Sequence, residues 1–135
     1  MDGAIHRSAG PELARAATRH APCPPGHAVL TPGFRLRARF VIHAVGPIWA
    51  GGTKGEPDVL RAAYERSFEA ARGEPAIRSI AFPAISTGIY MFPKRLAAEI
   101  ALDAMRRHVN DFDRIVACVF GDDNLKAYER ALART

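Results

Sequence analysis

Cysteine is scarce: only Cys23 and Cys118 occur, and neither belongs to a Cys-x-x-Cys or Cys/His cluster. That excludes a disulfide-stapled scaffold, and each cysteine reads as a small buried hydrophobe. No apolar run is long enough to cross a bilayer, and no basic-then-apolar signal pattern opens the chain. A cytoplasmic protein with no membrane partner is expected. Neither GxxxxGK[ST] nor GxGxxG is present, so Walker-type and dinucleotide-fingerprint sites are excluded. Aromatic residues are few and do not interleave with the arginines, which argues against a stacking platform for single-stranded nucleic acid. Internal repeats, low-complexity tracts and linkers are also lacking.

What remains is a chain of 135 residues, the size of one domain, and residues 1–135 are expected to form a single unit. A domain of this length buries roughly two-thirds of its unfolded surface without a staple. The net charge of +5 is concentrated at the front. Arg7, Arg15, Arg19, Arg35, Arg37 and Arg39 face only Asp2 and Glu12 within the first 40 residues. A solvated arginine face is the simplest reading of that segment, with phosphate contact as the alternative.

Periodicity divides the chain into alternating elements. Segments 4–9 and 11–19 are helical, carry Ile5, Ala9, Leu13 and Ala16 on one stripe, and break at Gly10-Pro11. Short β-branched runs follow at 28–31 and 40–45. Residues 45–58, rich in glycine and proline, read as a long loop. An amphipathic helix over 57–72 buries Leu60, Ala63, Tyr64, Ser67, Phe68 and Ala71, and a second over 93–109 buries Leu96, Ala97, Ile100, Ala104 and Met105. Segments 79–85 and 114–120 are apolar strands, and 124–134 is a closing helix. Strands apolar on both faces and alternating with helices predict an α/β fold with a mostly parallel sheet covered on two sides.

The stretch Ser-Ile-Ala-Phe-Pro-Ala-Ile-Ser-Thr-Gly-Ile-Tyr-Met-Phe-Pro, residues 79–93, carries the chemistry. A strand ends at Ile85, two hydroxyl residues and Gly88 follow, and a helix starts near Pro93. Ligands of open parallel sheets sit beyond the carboxyl ends of the strands. Hydroxyls, turned-in amides and a nearby helix N-terminus suit an anionic oxygen, although a plain strand–helix turn has the same composition.

Residues 81–93, "AFPAISTGIYMFP", resemble the second phosphate loop of macrodomains, the ADP-ribose-binding α/β family. Three more stretches are similar in order and spacing: "DGAIHRSAGPEL" at 2–13, "FVIHAVGPIWAGG" at 40–52 and "VFGDDN" at 119–124. Together they resemble the MacroD-like branch over nearly the whole chain. The resemblance implies a three-layer α/β/α fold and a ligand that is ADP-ribose or one of its esters. ADP-ribosylated proteins are implied partners and nucleic acid is not. The implied activity is hydrolysis of ADP-ribosyl esters or deacetylation of O-acetyl-ADP-ribose, with no metal and no cofactor. An inert ADP-ribose reader and a basic RNA-associated fold using Arg35, Arg37 and Arg39 are the alternatives.

By the same resemblance, the backbone of Ser86, Thr87, Gly88, Ile89 and Tyr90 cradles the diphosphate. Phe92 packs against the distal ribose, and Phe120 faces the adenine, although Phe120 reads equally as the last core residue of its strand. Asp2 holds and polarises the attacking water, a role compatible with capping the first helix. His6 reads as a helix-face histidine with a hydrogen bond, His43 as a satisfied core histidine, and Trp49 as the residue packing the long loop onto the body.

The sequence departs from the family at its front. The opening strand pair with its adenine-reading Asp, and the central strand leading to an Asn and the first phosphate loop, have no counterpart here; Asp2-Gly3 matches the end of that loop. About four strands are therefore expected. The sheet must close up, recruit a strand, or expose two rows of unpaired backbone groups that favour oligomers. Weakened hold on ADP-ribose is expected too. Met91 stands where the family has Gly, and its side chain either crowds the loop or swings into solvent.

Overall fold

In the computed structural model the described residues are 2–134. The elements run α1 (Asp2–Ala9), α2 (Pro11–Thr18), β1 (Ala28–Pro32), β2 (Phe40–Ala44), α3 (Glu56–Arg72), β3 (Ser79–Phe82), α4 (Lys94–Arg107), β4 (Arg114–Ala117) and α5 (Asp122–Ala133). Gly10, at φ 87°, separates α1 from α2, and Pro11 starts the second helix where its missing N–H costs nothing. No helix among the described residues is long and apolar enough to cross a membrane.

The strands form two pairs where one sheet was expected. β1 and β2 are antiparallel, with Ala28 opposite Ala44 and Pro32 opposite Phe40. The short connection over 33–39 leaves no room for the crossover that a parallel pair needs. β3 and β4 are parallel, with Ser79 opposite Arg114 and Phe82 opposite Ala117, and α4 lies between them in the chain. Among the described residues no ladder joins β2 to β3. Of the three outcomes the sequence left open, the sheet neither closes up nor recruits a strand, and strand edges stay unpaired.

The strands are also shorter and wetter than their composition suggested. β3 ends at Phe82 because Pro83 has no N–H to donate, and Ser79, Ala81, Arg114 and Ala117 are exposed. Only Ile80, Phe82 and Ile115 reach the core, so these strands are covered on one face and not two. Cys118 is exposed and Cys23 half-buried, which overturns the reading of both as buried hydrophobes. They follow the open face and a loop, not the core.

The core gathers around α3 and α4. Leu60, Tyr64 and Phe68 are fully buried on α3 and meet Ala97, Ala98, Ala101 and Ala104 of α4, whose small side chains let the helices approach closely. Phe68 lies at the centre, 5.0 Å from the ring of Phe82, 5.8 Å from Phe112, and stacked on His108 at 4.4 Å. Helix α3 also packs against β1 and β2, so one buried stripe touches both halves of the fold. Truncating Phe68 removes three ring contacts and leaves a cavity that stiff helices fill poorly. Phe68→Ala should cost about 3–5 kcal/mol in urea unfolding; a loss under about 1 kcal/mol would place the centre of the core elsewhere.

Candidate functional site

Two loops meet above the carboxyl ends of β2 and β3. The first, 83–93, leaves β3 at Pro83 and turns at Ser86, which takes φ 67°. Thr87 is buried, and its amide and its hydroxyl both donate to the Ala84 carbonyl, at 3.4 and 2.9 Å. Met91 N–H closes a turn onto the Gly88 carbonyl at 3.0 Å, and Phe92 N–H reaches the Ser86 carbonyl at 3.0 Å. Among the described residues the amides of Ser86, Gly88, Ile89 and Tyr90 donate to nothing. The crest is exposed: Ile89 is 96% accessible, and a Cβ added at Gly88 would meet nothing within 4 Å. A loop that displays free amides over an open crest can take an anion without rearranging.

Beneath the crest the packing is tight. The Ser86 hydroxyl oxygen is buried and without a partner among the described residues. It faces Gly46 of the second loop, where a Cβ would collide with that hydroxyl and lie 2.6 Å from Ile85 Cγ2. Only glycine at 46 lets the loops touch. Tyr64, from α3, places its hydroxyl 3.5 Å from both the Pro83 carbonyl and the Tyr128 hydroxyl, and burial pushes its pKa up, so it stays neutral.

The second loop, 45–55, is braced on the first. Trp49 N–H donates to the Tyr90 carbonyl at 2.9 Å, and its indole meets the Phe92 ring edge-on at 4.9 Å. This is the packing role expected of Trp49. Phe92 itself is only 2% exposed. Its ring, expected against a ribose, packs on Trp49 and belongs to the core. Met91, at φ 62°, is 73% exposed, so its side chain swings into solvent and leaves the crest clear.

Phe120 lies beyond the end of β4 and is 81% exposed, which rules out the reading of it as a core residue. Buried Asn124, on the first turn of α5, donates to the Phe120 carbonyl at 3.0 Å and holds that backbone in place. Asp2 begins α1, and its side chain lies outside the described residues. His43 shares a 2.9 Å hydrogen bond with the Thr31 hydroxyl, as a satisfied histidine should, and the His6 ring lies 6.5 Å from it. Among the described residues no group of three His, Cys, Asp or Glu converges as metal ligands.

Glu56 was not foreseen. It is buried, and its carboxylate accepts the amides of Ala50 at 2.8 Å, Gly52 at 2.9 Å and Lys54 at 2.7 Å. Its own backbone N–H, and then those of Gly52, Ala50 and Lys54, hold its pKa down from 4.5 to about 2, against the opposing effect of burial. Placing the helix start at Pro57 left this residue in the loop and hid its role. The signal was there: an acid one residue before a helical Pro, after three glycines that can turn amides inward.

A family model described as Macro domain matches residues 1–101. A macro domain-containing protein of Ralstonia nicotianae is 51% identical over 132 residues, which cover 98% of this chain and 77% of that protein. An O-acetyl-ADP-ribose deacetylase of Klebsiella pneumoniae is 45% identical, over 98% of this chain and 79% of its own. Among solved structures, the Oceanobacillus iheyensis macrodomain with ADP superposes with a TM-score of 0.88 at 34% identity, over 98% of this chain and 74% of that one.

Two measurements follow from the geometry. Gly88→Val should fold as the parent does, because open space surrounds that Cβ, yet lose at least about tenfold in affinity for a diphosphate ligand; parental affinity in the folded variant would move the anion site elsewhere. Glu56 is depressed in the fold, so its stabilisation is complete above pH 4.5 and disappears as pH falls through about 2. Acid melts over that window should therefore be steeper for the parent than for Glu56→Gln, and parallel curves would contradict the depressed pKa.

Proposed function

Because the chain belongs to the macro domain family, we propose that it binds ADP-ribose and hydrolyses its esters, O-acetyl-ADP-ribose foremost. The observation that carries this reading is the row of free amides at Ser86, Gly88, Ile89 and Tyr90 on an exposed crest. Diphosphate oxygens accept what those amides offer. Phe120, open to solvent at the end of β4, gives the adenine a face to stack on, and Asn124 fixes the backbone that presents it. The related proteins of Enterobacter, Citrobacter and Klebsiella that carry the name O-acetyl-ADP-ribose deacetylase point to the same reaction.

In the proposed step Asp2 and a ligand phosphate oxygen orient one water. Its oxygen adds to the acyl carbon of the ester as the water gives up a proton, the bond from the acyl carbon to the ribose oxygen breaks, and that oxygen takes up a proton to become a hydroxyl while acetate is released. No covalent intermediate with the protein is needed, because position and electrostatics lower the barrier. Phe92 serves this site from beneath, as the wall on which Trp49 rests.

Titration calorimetry with ADP-ribose and release of acetate from O-acetyl-ADP-ribose test the two halves of the proposal. Saturable binding with turnover supports both; binding without turnover would leave a reader and remove the hydrolase. Asp2→Asn keeps the size and shape of the side chain and removes its charge, so stability should hold while turnover drops about tenfold or more. Equal turnover in parent and Asp2→Asn would take Asp2 out of the chemistry.

A further inference from the structure

We propose that Glu56 is a positioning residue for the ligand loop: its carboxylate fixes loop 45–55 in the shape that lets Trp49 brace residues 86–92. This rests on the ADP-ribose reading for its consequence, though not for its geometry. Gly51, Gly52 and Gly55 take φ of 90°, 87° and 78°, which only glycine adopts readily, and those turns aim the amides of Ala50, Gly52 and Lys54 at one carboxylate. Glu56 opens α3, where the helix dipole favours a negative charge, and it is 4% exposed. It does not cap α3 by side chain: the N-cap is Gly55, and no side-chain cap bond is made.

The clasp is relayed by one residue. Gly52 lies under the Trp49 indole so closely that an added Cβ would be 2.7 Å from Cη2. Trp49 in turn holds the Tyr90 carbonyl by its backbone N–H and meets the Phe92 ring edge-on with its indole. The Tyr90 carbonyl belongs to the loop whose free amides would meet the diphosphate. Fixing it sets the orientation of the crest. None of the Glu56 hydrogen bonds goes to residues 86–92, so its effect on a ligand passes through the contacts that loop 45–55 makes with them, Trp49 foremost.

The chain has a single tryptophan, and its emission therefore reports on this relay directly. In the full chain, Glu56→Gln should shift Trp49 emission to the red and move the amide resonances of Gly88 and Tyr90 without ligand. It should also raise the ADP-ribose dissociation constant about tenfold, or ~1.4 kcal/mol. Gly52→Ala, which displaces the indole and strains the turn that aims the Gly52 amide at Glu56, should give the same signature. If Glu56→Gln does not fold, Glu56→Asp, whose shorter arm cannot span three amides, is read by the same criteria. A variant that melts earlier but keeps parental emission, resonances and affinity would overturn the proposal and leave Glu56 as a stabiliser of its own loop. Should the parent itself fail to bind ADP-ribose, the functional reading falls; the positioning proposal then stands or falls on the ligand-free emission and resonances.

Discussion

The burial of one face of α3 is the constraint on which the rest depends. Among the described residues no ladder hydrogen bond joins β1–β2 to β3–β4, so the two strand pairs are kept in place by side chains. Leu60, Ala63, Tyr64, Ser67, Phe68 and Ala71 form the stripe, and α3 touches β1, β2 and α4. A sheet usually transmits position through its backbone, where each bond fixes the next strand to a fraction of an ångström. Here that task passes to apolar packing, which is non-directional but dense enough to resist sliding. The polar groups near the stripe are satisfied locally: Ser67 donates to the Ala63 carbonyl at 2.7 Å, and His108 bonds Glu65 at 2.7 Å.

The head and the body of α3 do different work. Its body orders the halves of the fold, and its first residue orders a loop that has no secondary structure of its own. Loops that display backbone amides carry an inherent difficulty, because an amide left free for a ligand gives up a bond that would hold the loop. In this protein the two tasks are divided between segments. Loop 45–55 gives the amides of Ala50, Gly52 and Lys54 to Glu56, and loop 83–93 keeps those of Ser86, Gly88, Ile89 and Tyr90 without an acceptor among the described residues and is braced by Trp49 and Gly46.

The helices were legible in the sequence because amphipathic stripes repeat often enough to average out local exceptions; Leu60, Tyr64 and Phe68 lie where periodicity put them. The strands were less so. An apolar run such as Ser-Ile-Ala-Phe-Pro-Ala-Ile says that a strand is buried only if something covers both faces, and Ala81 is exposed here. Composition is also blind to which edges pair. The loop 86–90 was singled out by its place after a strand and by its likeness to a family motif. A motif carries residue type and order but not burial: the ring of Phe92 lies 2% exposed against Trp49. Glu56 was missed for a different reason. A carboxylate that binds only backbone leaves no partner residue type to search for, and its signature is the spacing of glycines around it.

Charge placement bears on how an anionic ligand meets this surface. The arginines of the first 40 residues lie on α1, on α2 and its C-cap, and in the hairpin between β1 and β2, while the proposed diphosphate loop contains no basic side chain at all. A lysine or arginine at the crest would attract phosphate strongly but without direction, and would hold free phosphate nearly as well as a nucleotide. Amides fixed in a turn discriminate by geometry: they reward oxygens at the right separation and little else. Such a site is weak unless its donors are already aligned, because each unaligned amide must be ordered at binding. Recognition by neutral backbone therefore makes alignment the determinant of affinity. In this chain alignment is set by the turn at Ser86, the glycine at 46 that lets the loops touch, and the Trp49 backbone N–H that holds the Tyr90 carbonyl.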